Sequence, residues 1–185
     1  MITVRKYQEK DRENLLKICI ETSGLPTETE KDRAFLNLMY NDYYAAVEGH
    51  NCFVAADEND EAVGYILCAE NFDRYFKVFK ALYLPEIKKL GFNYYTMALG
   101  EIAVHSLFRK KYPAHLHIDI LPLCQGKGTG TALVNELKAH LKTKGIDNVM
   151  LSCGMGNKRA IKFYKKNDFK MVANIAGSCI MVSKF

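Results

Sequence analysis

The sequence predicts a mixed α/β domain, and three observations carry that prediction. Short runs of β-branched and large apolar residues alternate with stretches whose apolar residues recur at helical spacing. One such strand, His115 to Leu121, runs through a proline into a glycine-rich loop and then a helix, reading HLHIDILPLCQGKGTG. Finally, 185 residues, 49% of them apolar and 25% charged, suffice for one domain with a substantial core.

Taken in order, Ile2 to Tyr7 alternates apolar and polar residues as a first strand does. Asp11 can cap a helix that carries Leu15, Leu16, Cys19 and Ile20, and Gly24 and Pro26 end it. A second helix is expected from about Glu30 to Val47, with Phe35, Leu38, Met39 and Tyr43 at helical spacing. Cys52 to Ala56 and Ala62 to Ala69 read as a hairpin across the turn-forming Asp57-Glu58-Asn59-Asp60. Residues 72–113 read as an aromatic-rich helical insertion, with Phe72, Tyr75, Phe76, Phe79 and Leu82 expected on one face. That stripe suits core packing, and its place in the chain suits a substrate lid. From Thr131 a helix is expected with Leu133, Val134, Leu137 and Leu141 on one side, followed by a strand from Val149 to Cys153. Asn157 opens a helix carrying Ala160, Ile161 and Tyr164, and Phe169 to Ile175 with Ser178 to Ser183 forms a closing hairpin.

The loop carries the chemistry. Pro122 cannot donate to a ladder, so the strand is disrupted there. Gly126, Gly128 and Gly130 let the backbone pass close to a bulky group, and the free amides of the helix that follows attract an anion, phosphate above all. A Walker A loop is excluded, because Leu121 stands where the upstream glycine belongs and Gly128 follows Lys127. A dinucleotide fingerprint is excluded too: Leu133 stands in the slot of its last glycine, and Ser152 and Cys153 replace the acid that should end the next strand.

The pattern that fits is Q-x-x-G-x-G at Gln125, Gly128 and Gly130, with Pro122 and its strand before it and N-x-x-A-x-x-F-Y from Asn157 to Tyr164 behind it. Both motifs, and the order of elements throughout the chain, resemble the GNAT superfamily of N-acetyltransferases. The run YPAHLHIDILP from Tyr112 to Pro122 is similar to a bacterial subgroup that includes acetyltransferase-like domains found beside O-GlcNAc hydrolases. The resemblance implies a single acyl-CoA N-acyltransferase domain over residues 1–185, its central mixed sheet splayed at the cofactor strand and flanked by helices on both faces. It implies transfer of an acetyl group from acetyl-CoA to a primary amine, directly, in a ternary complex. The backbone of Ile118, Asp119 and Ile120 then holds the pantetheine arm, and the loop from Gln125 through Gly126, Lys127, Gly128, Thr129, Gly130 and Thr131 holds the pyrophosphate. Asn157 contacts the CoA arm. Tyr164 places its hydroxyl near the thioester sulfur, where a leaving thiolate needs a proton.

Read without the resemblance, Asn157 is equally an N-cap and Tyr164 equally a core residue. Many relatives carry a glutamate on the strand before the asparagine helix, whereas this chain has Met150-Leu151-Ser152-Cys153 there. Asp119 is therefore the first candidate to receive the amine, or else it is tied to His117, Lys127 or a backbone amide; Glu101 and His105 come second. A module that binds acyl-CoA without turnover, and a protein-interaction domain, are the competing readings.

The remaining features exclude more than they assign. The net charge of +5 includes no basic run that would mark a nucleic-acid arm, though it suits a polyanionic cofactor. Six scattered cysteines without a CxxC pair argue against a zinc ribbon and fit a reducing cytoplasm. No apolar run is long enough to span a membrane, and no signal peptide is evident. His115, His117 and Asp119 alternate on one strand and share a face, as zinc ligands can. No further ligand is evident, so no metal is expected. The expected partner is a small-molecule or peptide amine, with a homodimer left open.

Overall fold

Four antiparallel neighbours, one parallel step and a final hairpin build the sheet. The computed structural model describes residues 2–185. Strands β1 (Thr3–Lys6), β2 (Phe53–Ala56), β3 (Ala62–Ala69), β4 (His115–Ile120), β5 (Asn148–Gly154), β6 (Lys170–Ile175) and β7 (Ser178–Lys184) lie in the order β1-β2-β3-β4-β5-β7-β6. Only β4 and β5 run parallel, and they pair at a single register position, His115 with Met150. On its other side β4 stays paired with β3 from Gly64–Ile120 to Ala69–His115. The two parallel strands therefore part, as the resemblance implies, and the sheet opens between them.

Helices α1 (Arg12–Thr22), α2 (Glu30–Tyr40), α3 (Asp42–Glu48), α4 (Phe72–Val78), α5 (Leu84–Leu90) and α6 (Phe92–Ser106) build one apolar cluster, which includes Leu15, Phe35, Tyr43, Tyr65, Phe79 and Ile87. Helices α7 (Thr129–Thr143) and α8 (Lys158–Lys166) build another with Ile66, Leu116, Leu133, Val149 and Phe169. Period-2 alternation divides β2 and β3 between them: Val54, Tyr65 and Leu67 face the first cluster, and Phe53, Ala55, Ile66 and Cys68 the second. Thr29 and Asp32 start α2 with a reciprocal capping box, and Tyr94 of α6 donates to Asp32 at 2.6 Å, pinning α6 onto α2. A carboxylate at the far end of α3, Glu48, is fully buried; it accepts from Arg74 at 2.6 Å, Asn51 at 2.7 Å and Tyr43 at 3.2 Å.

Three expectations change in detail. The helix expected over residues 30–47 is two helices, because buried Asn41 leaves the helical region at φ −124°, ψ −56° and redirects the chain. Leu82 does not join the aromatic stripe. A π-turn over Phe79–Tyr83 inserts one residue, so Tyr83 turns inward and Leu82 stands 63% exposed. The helix behind the glycine loop begins at Thr129 rather than Thr131, which puts Gly130 inside its first turn. Among the described residues no helix is long and apolar enough to cross a membrane.

Candidate active site

The glycine loop starts where β4 loses its partner. Pro122 opens a single 3-10 turn through Cys124, and Gln125 reaches back to donate to the Ile120 carbonyl at 2.6 Å. Gly126 and Gly128 take φ of +77° and +85°, a region that L side chains enter only under strain, and Gly128 is the N-cap of α7. A Cβ at either residue would meet no atom within 4 Å, so the space over both is open. The first intrahelical bond runs from Ala132 N to the Gly128 carbonyl at 3.0 Å, and the amides before it are the unpaired donors of a helix N-terminus. Lys127 is exposed at the loop tip, and Thr131 lines the groove. Thr129 and Gly130 are buried: the Thr129 hydroxyl donates to the Cys124 carbonyl, and Gly130 packs against Phe163. These two serve the loop's shape with their side-chain positions and keep only their amides for a ligand.

Two connected clefts flank the parted strands. One, of about 440 Å³, is lined by Gln125, Gly126, Gly128, Gly130, Thr131 and Asn157. Its neighbour, of about 460 Å³, reaches the opposite face of the sheet, where Cys19, Tyr40, Glu101, His105, His117 and Ser152 line it. Ile118, Asp119, Asn157, Ala160 and Tyr164 border both. Of the sequence-nominated residues, Ile118, Asp119, Asn157 and Tyr164 meet at this junction, whereas Gln125, Gly126, Gly128, Gly130 and Thr131 line one cleft only and Glu101 and His105 the other.

Tyr164 comes to it from α8. Asn157 caps that helix by accepting from Ala160 N at 3.0 Å, so it is an N-cap that also borders the cleft. Among the described residues the Tyr164 hydroxyl makes no protein hydrogen bond, while its ring packs on Phe163 and Phe169. Burial, helped by Cys153 and Asp119, raises its pKa above the ordinary 10.0, so the phenol keeps its proton through the neutral range.

Asp119 comes from the other face of β4 and is not free. Tyr65 of β3 donates to its Oδ2 at 2.7 Å, and His117 Nε2 lies 2.9 Å from the same oxygen. Burial opposes a charge on His117, but Asp119 more than offsets it and pushes the imidazole up to about 10. His115, two residues back, belongs to a different environment. It is buried among Tyr44, Phe72, Tyr75 and His105, its Nδ1 unpartnered, and burial drives its pKa well below 6.5, so it is neutral. Glu101 and His105 line the far wall, with His105 Nδ1 3.1 Å from the Glu101 carbonyl and its pKa lowered by burial. Sequence reasoning missed Tyr65 and Cys19. Tyr65 stands opposite Asp119 in the β3–β4 pairing, which joins strands more than 40 residues apart and so leaves no local signal in the sequence. Nothing in the sequence signals Cys19.

The model of the Acetyltransferase (GNAT) family matches residues 17–169. An uncharacterized N-acetyltransferase of Methanocaldococcus jannaschii is 36% identical over 80 residues, covering 43% of this chain and 35% of that protein, so the likeness reaches little more than a third of that relative. The crystal structure of SsHAT superposes with a TM-score of 0.89 at 26% identity, covering 99% of this chain and 98% of that one. The PaiA N-acetyltransferase of Thermoplasma acidophilum, solved in complex with coenzyme A, shares the fold with a TM-score of 0.66 at 19% identity, over 100% of this chain and 99% of that one.

Proposed function

Because the chain belongs to the acetyltransferase (GNAT) family, we propose that it carries an acetyl group from acetyl-CoA to a primary amine by direct transfer in a ternary complex. The observation that carries this reading is the junction of the two clefts, where an unpartnered phenol from one face of the sheet and a carboxylate from the other border the gap between β4 and β5. The chain suits the cofactor: the Gly126–Thr131 amides front an open space for a pyrophosphate. The parted strand leaves backbone groups of Ile118, Asp119 and Ile120 without a β5 partner for a pantetheine arm.

The amine lone pair attacks the thioester carbonyl, the carbon–sulfur bond breaks, and the thiolate takes a proton. Tyr164 is the donor in this reading, since its phenol is protonated and has no competing partner. Asp119 receives the ammonium and accepts its proton, with the Tyr65 hydroxyl fixing the carboxylate and His117 standing beside it. The absence of an acid on Met150–Cys153 leaves this role to β4.

Acetyl-CoA is expected to raise the melting temperature, because a ligand bound only by the native state adds about 2.7 kcal/mol at a hundredfold excess over its Kd. A melting curve unmoved by millimolar acetyl-CoA refutes the cofactor assignment. The ties on Asp119 favour one second reading, an acyl-CoA-binding module without turnover. Acetyl-CoA stabilisation with no transfer to any of a panel of amines selects it.

A further inference from the structure

A second set of groups shares the Asp119 carboxylate. The sequence puts two metal-ligand types on the acceptor side of β4 and no third; α1 supplies the third. The ligating atoms of Cys19, His117 and Asp119 all lie within 4.8 Å of one another. Cys19 belongs to the buried side of α1, while His117 and Asp119 hold alternate positions of β4. His117 Nε2 sits 2.9 Å from Asp119 Oδ2, yet it is buried and makes no hydrogen bond: the distance suits one and the direction does not.

Two features separate this set from a nucleophile relay. A relaying histidine joins thiol and carboxylate through its two ring nitrogens, which point apart and hold those partners well beyond 4.8 Å. Here sulfur and carboxylate gather on the same side of the ring. Outer partners also fix the ligands as metal sites require. Tyr65 donates to the carboxylate at 2.7 Å, and the Tyr40 ring stacks on the imidazole at a centroid distance of 5.1 Å.

We propose that Cys19, His117 and Asp119 form a three-ligand site for a borderline-soft divalent cation, zinc above all, in the wall of the acceptor cleft. One sulfur, one nitrogen and one oxygen donor suit that cation, and a three-ligand site keeps its fourth position open. All three residues line the cleft, so that position faces the space where an amine would enter. On the acetyltransferase reading zinc and the amine then compete for Asp119, whereas zinc binding itself does not depend on that reading.

The test is titration of metal-stripped protein with zinc against a chromogenic chelator, together with cobalt(II) substitution followed by visible and near-ultraviolet absorption. One equivalent of zinc is expected to be held, and cobalt is expected to give the strong bands of a four-coordinate site with thiolate charge transfer. Cys19→Ser is expected to abolish the charge-transfer band and to weaken zinc by at least the roughly 10–100-fold that loss of an outer partner costs. Asp119→Asn, nearly isosteric, is expected to weaken zinc likewise, and it serves if Cys19→Ser does not fold. No stoichiometric zinc uptake, a weak octahedral cobalt spectrum, or unchanged affinity in either folded variant overturns the site. Inhibition of transfer by zinc is expected to be competitive with the amine. A chain that transfers nothing leaves the chelator and cobalt readouts intact, so the two ideas fail separately.

Discussion

Replacing Gly130 with alanine separates packing from ligand contact within one motif. Gly130 lies in the first turn of α7, and a Cβ there would stand 2.8 Å from Cε2 and Cζ of Phe163 and 3.0 Å from Cδ1 of Ile120. Carbon atoms rest about 3.5–4.0 Å apart, so the ring must withdraw by roughly 1 Å. Phe163 is not the tip of a flexible chain; it packs on Tyr164 with ring centroids 5.3 Å apart, so α8 moves with it. Overpacking of this kind costs about 1–3 kcal/mol, and two rigid neighbours put it in the upper half. Alanine's advantage over glycine in a helix offsets about 1 kcal/mol, leaving a net loss of about 1–2 kcal/mol. For a chain of this size each kcal/mol shifts Tm by about 2–4 °C, so thermal unfolding followed by circular dichroism should show Tm lower by about 2–8 °C. Gly128→Ala is the contrast: its Cβ meets nothing within 4 Å, but its φ of +85° costs about 1–2 kcal/mol and the methyl enters the open space over the loop. It should weaken acetyl-CoA binding more, relative to its stability loss, than Gly130→Ala does. An unchanged Tm in Gly130→Ala would refute the packing argument.

Four further outcomes are expected. Gly128→Glu should abolish stabilisation by acetyl-CoA in a thermal shift assay, since it puts a side chain and a negative charge in the anion site. Tyr164→Phe should cut turnover by at least tenfold with acetyl-CoA affinity nearly intact, because general acid catalysis contributes about 10²–10⁴-fold; equal turnover makes Tyr164 a packing residue. The raised Tyr164 pKa means the required protonated form persists past pH 10.0, so kcat should show no alkaline limb from this group below that point. A limb near pH 9 that disappears in Tyr164→Phe contradicts the assignment. Arg74→Ala should destabilise by about 1–3 kcal/mol, because it strips a donor from fully buried Glu48, although Arg74 itself is 46% exposed and Asn51 and Tyr43 still donate to the carboxylate. Denaturant unfolding measures it, and a loss below 1 kcal/mol would show the buried carboxylate to be indifferent to its cation.

What was legible in the sequence follows the range of the forces involved. Strand alternation, the glycine loop and the asparagine cap are set by neighbours a few residues apart, so β4, α7 and α8 emerge from local pattern alone. The break at Asn41 and the π-turn at Phe79–Tyr83 were not legible, because helix propensity does not distinguish a continuous helix from one redirected by tertiary packing. Within the site, the alternation of His115, His117 and Asp119 correctly put them on one face but could not divide them. That division is made by Tyr44 and Tyr75, which enclose His115, and by Tyr65 and Cys19, which border Asp119. All four come from segments 40 or more residues away in the chain.

The division of the apolar interior by the sheet bears on how such a chain can change over time. The buried residues of the first cluster run from Leu15 to Ile102, and the loop, α7 and α8 contribute none of them. Substitutions along α2, α4 or α6 can remodel the walls of the cleft beside Asp119 while leaving the amides of the glycine loop under no new constraint. On the acetyltransferase reading, selection can therefore alter the amine that is accepted without renegotiating how the acetyl donor is held. Among the described strands only β2 and β3 send buried residues into both clusters, and there successive residues answer to opposite sides.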